Sequence, residues 1–191
     1  MYQVDEFRDC LQRIASILQQ FRLRYCLTGG AAFIAYGDPR TTQDVDLIVD
    51  VERLRECLPQ LLSLLREEQF LLTEETVREA VRSQRKFQLI DLVSTFKFDL
   101  YPLELVEGLL DRAVEMEIMP NLHYPIASRP DLIASKVVGI GKGSHKSRRD
   151  VRWLMWGATD YEQALARQFI EGLGLTALLE VVLAEPDEID A

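Results

Sequence analysis

Residues 27–50 read LTGGAAFIAYGDPRTTQDVDLIVD. The segment holds two adjacent glycines, Gly29 and Gly30. Thirteen residues separate them from an acid-apolar-acid step, Asp44-Val45-Asp46, set in an apolar run. A glycine turn lets a phosphate approach the backbone closely. Two carboxylates one residue apart on a strand point to the same face and can share a metal ion. Few chemistries need both in so short a segment, and phosphoryl or nucleotidyl transfer is the first of them. Each half also has an ordinary reading: a tight strand-to-helix turn for the glycines, and a solvated strand face for Asp44 and Asp46. Asp50 continues that face and is expected to be simply solvated.

The flanks give the segment its setting. Phe7, Leu11, Ile14, Ala15, Leu18 and Phe21 recur at helical spacing over residues 5–21. Leu23 to Thr28 is short, apolar and followed by glycine, the pattern of a buried strand. A short helix over Ala31–Tyr36 and a loop over Asp38–Gln43 lead to a strand over Asp44–Val49. Val51–Gln69 is predicted as an amphipathic helix and Thr73–Arg82 as another, with Thr73 as its N-cap. Phe87–Val93 and Phe96–Leu100 read as strands joined at Ser94-Thr95. Helices and strands interleaved in this way predict an α/β (α+β) unit with a small mixed sheet flanked by helices. Beyond Pro120 the texture changes. Helices are predicted over 130–140, 147–156, 161–169 and 173–183, so the chain divides into a core, residues 1–125, and a helical C-terminal lobe, residues 126–191.

A third acid appears in Phe96-Lys97-Phe98-Asp99-Leu100-Tyr101. Strand alternation puts Phe96, Phe98 and Leu100 on one side and Lys97, Asp99 and Tyr101 on the other. Acids are depleted from strands, so an aspartate between Phe98 and Leu100 stands out. Asp91, on the preceding strand, is its rival. Three carboxylates on neighbouring strands would supply oxygen ligands for two Mg²⁺ ions, one activating an attacking oxygen and the other neutralising a pyrophosphate leaving group.

Taken together, Thr28-Gly29-Gly30, Asp44-Val45-Asp46-Leu47 and Asp99 resemble the motif of the DNA polymerase beta-like nucleotidyltransferase superfamily. Within it, GGAAFIAYGDPRTTQDVDLIV most resembles the small bacterial AbiEii-like and minimal nucleotidyltransferases. Asp131-Leu132-Ile133-Ala134-Ser135-Lys136 and Lys146-Ser147-Arg148-Arg149-Asp150 look like theirs too. The resemblance spans roughly residues 23–155 and departs from the pattern twice. Gly30 stands where many active members carry serine, and Thr28 stands where the pattern has an apolar residue, offering a hydroxyl in its place.

The resemblance implies Mg²⁺-dependent transfer of a nucleoside monophosphate from an NTP to an acceptor hydroxyl. Asp44, Asp46 and Asp99 would be the catalytic metal ligands for two ions. Gly29, Gly30, Thr28, Arg40, Lys136, Arg148 and Arg149 would bind the nucleotide. It implies an acceptor among tRNA, protein and small molecules such as aminoglycosides, and a toxin-like role with an antitoxin partner. The alternative is a non-catalytic member of the fold, an antitoxin or scaffold, a reading that rests on the missing serine at position 30.

Composition narrows the partners. Lys and Arg number 22 against 31 Asp and Glu, for a formal net charge of −9. A chain that coats nucleic acid is usually basic, so this one is not expected to do so. Yet residues 129–149 carry Arg129, Lys136, Lys142, Lys146, Arg148 and Arg149 against the single acid Asp131. This positive island reads either as a solvated face or as a contact for phosphate or RNA on the same cleft as the acids. Arg40, in the loop ahead of the acids, is either an exposed charge or a triphosphate contact. Gly139–Ser144 fits neither common phosphate-loop pattern and is expected to be a turn between helices. Trp153 and Trp156 are expected in the core of the helical lobe. Cys10, Cys26 and Cys57 lack zinc spacing and read as small core residues in a reducing cytoplasm. The polar, acidic start lacks signal-peptide features, and no apolar run has the length of a membrane span.

Overall fold

Alternation along three short strands decides which face of the sheet becomes core and which is left for polar groups. In the strand Asp44–Val49 (β2), Val45, Leu47 and Val49 are buried in the main core, while Asp44, Asp46 and Ile48 point the other way. The strand Tyr25–Thr28 (β1) sends Tyr25 and Leu27 to the core and Cys26 and Thr28 to the opposite face. The strand Lys97–Tyr101 (β5) sends Phe98 and Leu100 inward and leaves Lys97, Asp99 and Tyr101 with Asp46.

The computed structural model describes residues 2–37 and 44–186. In chain order the remaining elements are α1 (Tyr2–Gln20), α2 (Gly29–Ala35), α3 (Val51–Glu67), β3 (Phe70–Leu71), α4 (Glu74–Arg82), β4 (Phe87–Asp91), β6 (Val114–Met119), β7 (Leu122–Ile126), α5 (Arg129–Gly141), α6 (Ser147–Trp156), α7 (Asp160–Gly172) and α8 (Thr176–Leu183). Among the described residues seven strands form one sheet in the order β3-β4-β5-β2-β1-β7-β6. It is mixed: β2 runs parallel to β5 and β1 parallel to β7, and the other neighbours are antiparallel. The expected mixed α/β architecture is present.

The helices cover the apolar face for a periodic reason. Leu11, Ile14, Ala15 and Leu18 of α1, and Leu54, Leu58, Leu61, Leu62 and Leu65 of α3, recur at three- and four-residue spacing and are buried. The same core continues into the C-terminal helices through Leu132, Ile133, Val137, Val151, Leu154, Ala166, Ile170, Leu179 and Val182. Fully burying a side chain of this size is worth about 1.5–3 kcal/mol, so these stripes hold the helices on the sheet.

Several expectations need correction. The hairpin β6–β7 has no counterpart among the predicted strands. Pro120 and Pro125 mask an alternating pattern at its turn and along β7. Thr73 precedes α4 but makes no side-chain cap bond. Asp50 is not merely solvated: it caps α3, accepting from the N–H groups of Glu52 and Arg53 at 3.1 and 3.2 Å. Trp153 and Trp156 are not core. The buried stripe of α6 is Asp150, Val151, Leu154 and Met155, so the helical period puts the tryptophans outward, with Trp156 80% exposed. Cys10, Cys26 and Cys57 are buried and unpaired, and burial pushes the thiols of Cys10 and Cys26 up to about 12.

Candidate active site

The polar face of the sheet is assembled by register. Asp46 of β2 lies beside Asp99 of β5, and on its other side beside Thr28 at the end of β1. Thr28, Asp46 and Asp99 therefore form one row across three adjacent strands. Asp44 lies two residues back along β2, opposite Lys97, and is exposed.

The chain turns from β1 into α2 at Gly29, with φ +61. A Cβ at this position would lie 1.9 Å from Asp46 Oδ2. Glycine is thus required twice over, by the left-handed backbone and by the carboxylate that fills the side-chain space. The adjacent Gly30 backbone lies against the Asp46 carboxylate and favours its charged form. The glycine turn accordingly holds the acid directly. Thr28 precedes α2 without capping it, and its Oγ1 is buried with no hydrogen-bond partner among the described residues. A buried hydroxyl left unpaired costs free energy that a bound polar ligand would recover.

Asp46 accepts from the Tyr101 hydroxyl at 3.2 Å. Burial, and then the charge of Asp99, push the Asp46 carboxyl above its ordinary range, against this hydrogen bond, the Gly30 backbone and the charge of Lys86. The Tyr101 hydroxyl is also pushed upward, by burial first and then by the charges of Asp46 and Asp99. Asp99 is 7% exposed. Lys86 Nζ donates to its Oδ2 at 2.7 Å and Gln88 Nε2 to its Oδ1 at 3.0 Å.

Asp91 is held on the other face. It is fully buried, ion-paired with Arg13, and accepts from the Val93 N–H at 3.0 Å and the Ser94 hydroxyl. Burial works to raise its pKa, but Ser94, the Val93 N–H and Arg13 together carry it below the usual carboxylate value. It closes the turn between β4 and β5 and ties it to α1.

The donor chemistry of the polar face suits a hard divalent cation. Two neighbouring carboxylates repel one another, and the orphaned Thr28 hydroxyl adjoins them. Among the described residues, however, no three acid, histidine or cysteine side chains converge tightly enough to hold a metal as they stand. Asp46 and Asp99 are the adjacent pair, and Asp44 is one strand repeat away.

The basic candidates have protein partners. Lys136 is 5% exposed, pairs with Asp150 Oδ2 at 2.6 Å and lies 5.0 Å from the ring centre of Phe33, on α2. Arg148 pairs with Glu185, which Arg152 also reaches. Arg129 pairs with Glu162 at 3.6 Å and stacks on Tyr36. Lys142, Lys146 and Arg149 are exposed. Arg40 lies outside the described residues. Sequence reasoning missed Lys86 and Gln88. Their shared phase in KFQLID was legible, but their meeting with Asp99 depends on the β4–β5 register.

Among solved structures, an antigenic nucleotidyltransferase-like protein from Paracoccidioides brasiliensis is similar with a TM-score of 0.52 at 18% identity, over 92% of this chain and 93% of that one. At that identity the likeness concerns the fold. The antibiotic-resistance factor ANT(2'')-Ia gives a TM-score of 0.47 at 14% identity, over 91% of this chain and 87% of that one. The lincosamide antibiotic adenylyltransferase LnuA, solved with lincomycin bound, gives 0.49 at 14%, over 78% and 96%. No curated protein matches the sequence. The sequence model of the nucleotidyl transferase AbiEii toxin of Type IV toxin–antitoxin systems matches residues 11–173. That span takes in the glycine turn, the row of acids and most of the C-terminal helices, and the chain belongs to the AbiEii nucleotidyltransferase family.

Proposed function

We propose that this nucleotidyltransferase moves a nucleoside monophosphate from an NTP to an acceptor hydroxyl in an Mg²⁺-dependent reaction. The observation that carries the reading is the row Thr28–Asp46–Asp99 across β1, β2 and β5 on the polar face of the sheet. Asp44, Asp46 and Asp99 are assigned as the residues that hold two Mg²⁺ ions. When bound, such ions polarise phosphate oxygens and neutralise charge on the leaving group. Asp99 accepts the proton of the attacking hydroxyl. The acceptor oxygen forms a bond to the α-phosphorus, the bond from that phosphorus to the β-phosphate bridge breaks, and pyrophosphate leaves.

Gly29 and Gly30 are assigned to seat the triphosphate, with the Thr28 hydroxyl in place of the serine that Gly30 lacks. Arg40, Lys136, Arg148 and Arg149 are assigned to phosphate and acceptor charge, Lys136 and Arg148 exchanging part of existing ion pairs for it. The assigned residues fall into a nucleotidyltransferase core, 1–125, and a helical C-terminal lobe, 126–191.

The acceptor we assign is an RNA, a protein or a small molecule, with tRNA and protein favoured by membership of a toxin family. On this reading the protein is a toxin-like enzyme restrained by an antitoxin partner. Among the described residues no helix is long and apolar enough to cross a membrane, and we assign the work to the cytoplasm, where NTP and Mg²⁺ are supplied. The orphaned Thr28 hydroxyl favours this reading over a non-catalytic antitoxin or scaffold, because it supplies the hydroxyl whose loss at position 30 motivates the alternative.

The test is incubation with each α-labelled NTP, Mg²⁺ and either total cellular RNA or a soluble protein fraction. The expected result is label transferred to one fraction from a preferred NTP, and lost in Asp46→Asn. Absence of both transfer and Mg²⁺–NTP binding would leave the non-catalytic reading.

A further inference from the structure

Asp99 is a nearly buried carboxylate with both oxygens already engaged by protein donors, Lys86 on Oδ2 and Gln88 on Oδ1. Lys86 stands immediately before β4, and its side chain is 47% exposed against 10% for that of Asp99. The ammonium therefore reaches inward from the surface to neutralise an acid beside Asp46. Lysine is a compact, strongly hydrated cation on a flexible stem, so its outward release into water is cheap.

Resting on the metal reading above, we propose that Lys86 is the resident cation of this carboxylate site and that a divalent metal binds by displacing its ammonium from Asp99. An ion coordinated at about 2.0–2.1 Å from Asp99 Oδ2 would stand within a few ångströms of an ammonium already 2.7 Å from that oxygen, on the order of the distances at which like charges at a partly buried site repel strongly. The two cations therefore compete at Asp99 Oδ2 through their charge, and Lys86 sets how tightly the empty enzyme takes up metal. Gln88, which is neutral, stays and holds the orientation of Asp99. The exchange makes and breaks no covalent bond. It trades one ammonium contact for a metal–oxygen contact and returns the lysine to solvent.

The experiment uses the full chain without nucleotide and Mn²⁺ as the probe, with free Mn²⁺ read by electron paramagnetic resonance. Lys86→Met is expected to bind Mn²⁺ roughly tenfold tighter or better, since a like charge at contact range is removed. Lys86→Arg is expected to bind like the parent protein. In a second measurement on the unmutated protein, acetylation of Lys86 is followed by mass spectrometry. Saturating Mn²⁺ is expected to raise the reactivity of Lys86 while that of Lys142 and Lys146 stays constant. This measurement decides the matter if Lys86→Met fails to fold. Unchanged or weaker Mn²⁺ binding in a folded Lys86→Met, or a Lys86 reactivity indifferent to metal, would overturn the exchange. Asp46→Asn separates the two levels. If it weakens Mn²⁺ binding and Lys86→Met changes nothing, the lysine assignment alone falls. If it too has no effect, the metal site falls and the exchange with it.

Discussion

Asp46 and Asp99 lie side by side in the parallel register of β2 and β5, and Asp46 bears the electrostatic cost. Its carboxyl is held above its ordinary pKa by burial first and by Asp99 second. A raised acid binds its proton more tightly in the folded state than in the unfolded chain. Folding stability is therefore full below the ordinary carboxylate pKa and falls as pH rises through the raised value. Asp46→Asn is expected to melt higher than the parent protein at pH 7 without metal, with the gap closing toward pH 3. The same substitution should abolish nucleotide transfer. Thermal melts across that pH range, with labelled-NTP assays beside them, check both.

Asp91 should behave in the opposite sense. Its pKa is lowered, so it stabilises the fold above the ordinary carboxylate pKa and that contribution is lost as pH falls through the lowered value. Asp91→Ala leaves Arg13 without its partner and should cost about 3–5 kcal/mol. Denaturant titration measures the loss. The residual folded protein at low temperature should retain transfer activity, unlike Asp99→Asn, which should fold and be inactive.

Gly29→Ala tests the interlock between the turn and the acid. The new methyl would meet Asp46 Oδ2, and a non-glycine residue at this positive φ adds about 1–3 kcal/mol of strain. The expected outcome is a less stable protein with weakened Mn²⁺ binding, because the carboxylate must move. Gly37, also at positive φ but with open space around it, provides the control. Gly37→Ala should carry backbone strain with no effect on Mn²⁺.

Lys136 separates support of the fold from phosphate contact. Lys136→Met removes the ammonium paired with the buried Asp150 Oδ2 and is expected to cost about 3–5 kcal/mol. Adding Asp150→Leu should recover most of that stability. If Lys136 meets phosphate, NTP binding measured by calorimetry stays weak in the refolded double variant, and recovery of binding would make the pair purely structural.

Much of this was legible before the structure. The stripes of α1 and α3 are local periodicities, so Leu11, Leu18, Leu58 and Leu62 announce their buried side without knowledge of their neighbours. The phase of Asp44, Asp46 and Asp99 is equally local. What the sequence does not contain is register. Nothing in KFQLID says that Gln88 will lie opposite Asp99, and nothing in NLHYPI says that β7 will insert beside β1. Those pairings are settled by contacts between residues far apart in the chain. Trp153 and Trp156 failed for a different reason. Large apolar residues are expected inside, but α6 had already used its inward stripe for Val151, Leu154 and Met155.

The absence of a side chain at residue 29 and the presence of a carboxylate at residue 46 are two halves of one volume. A relative that loses the acid no longer needs glycine at the turn for space, and one that gains a methyl at the turn can no longer keep the acid where it is. The coupling therefore runs one way: an aspartate at 46 demands glycine at 29, while glycine at 29 is still favoured by its positive φ once the acid is gone. A chain of this fold that carries any side chain at the turn has no room for the acid where this one holds it, and residue 29 alone is enough to mark it as unable to build the same site.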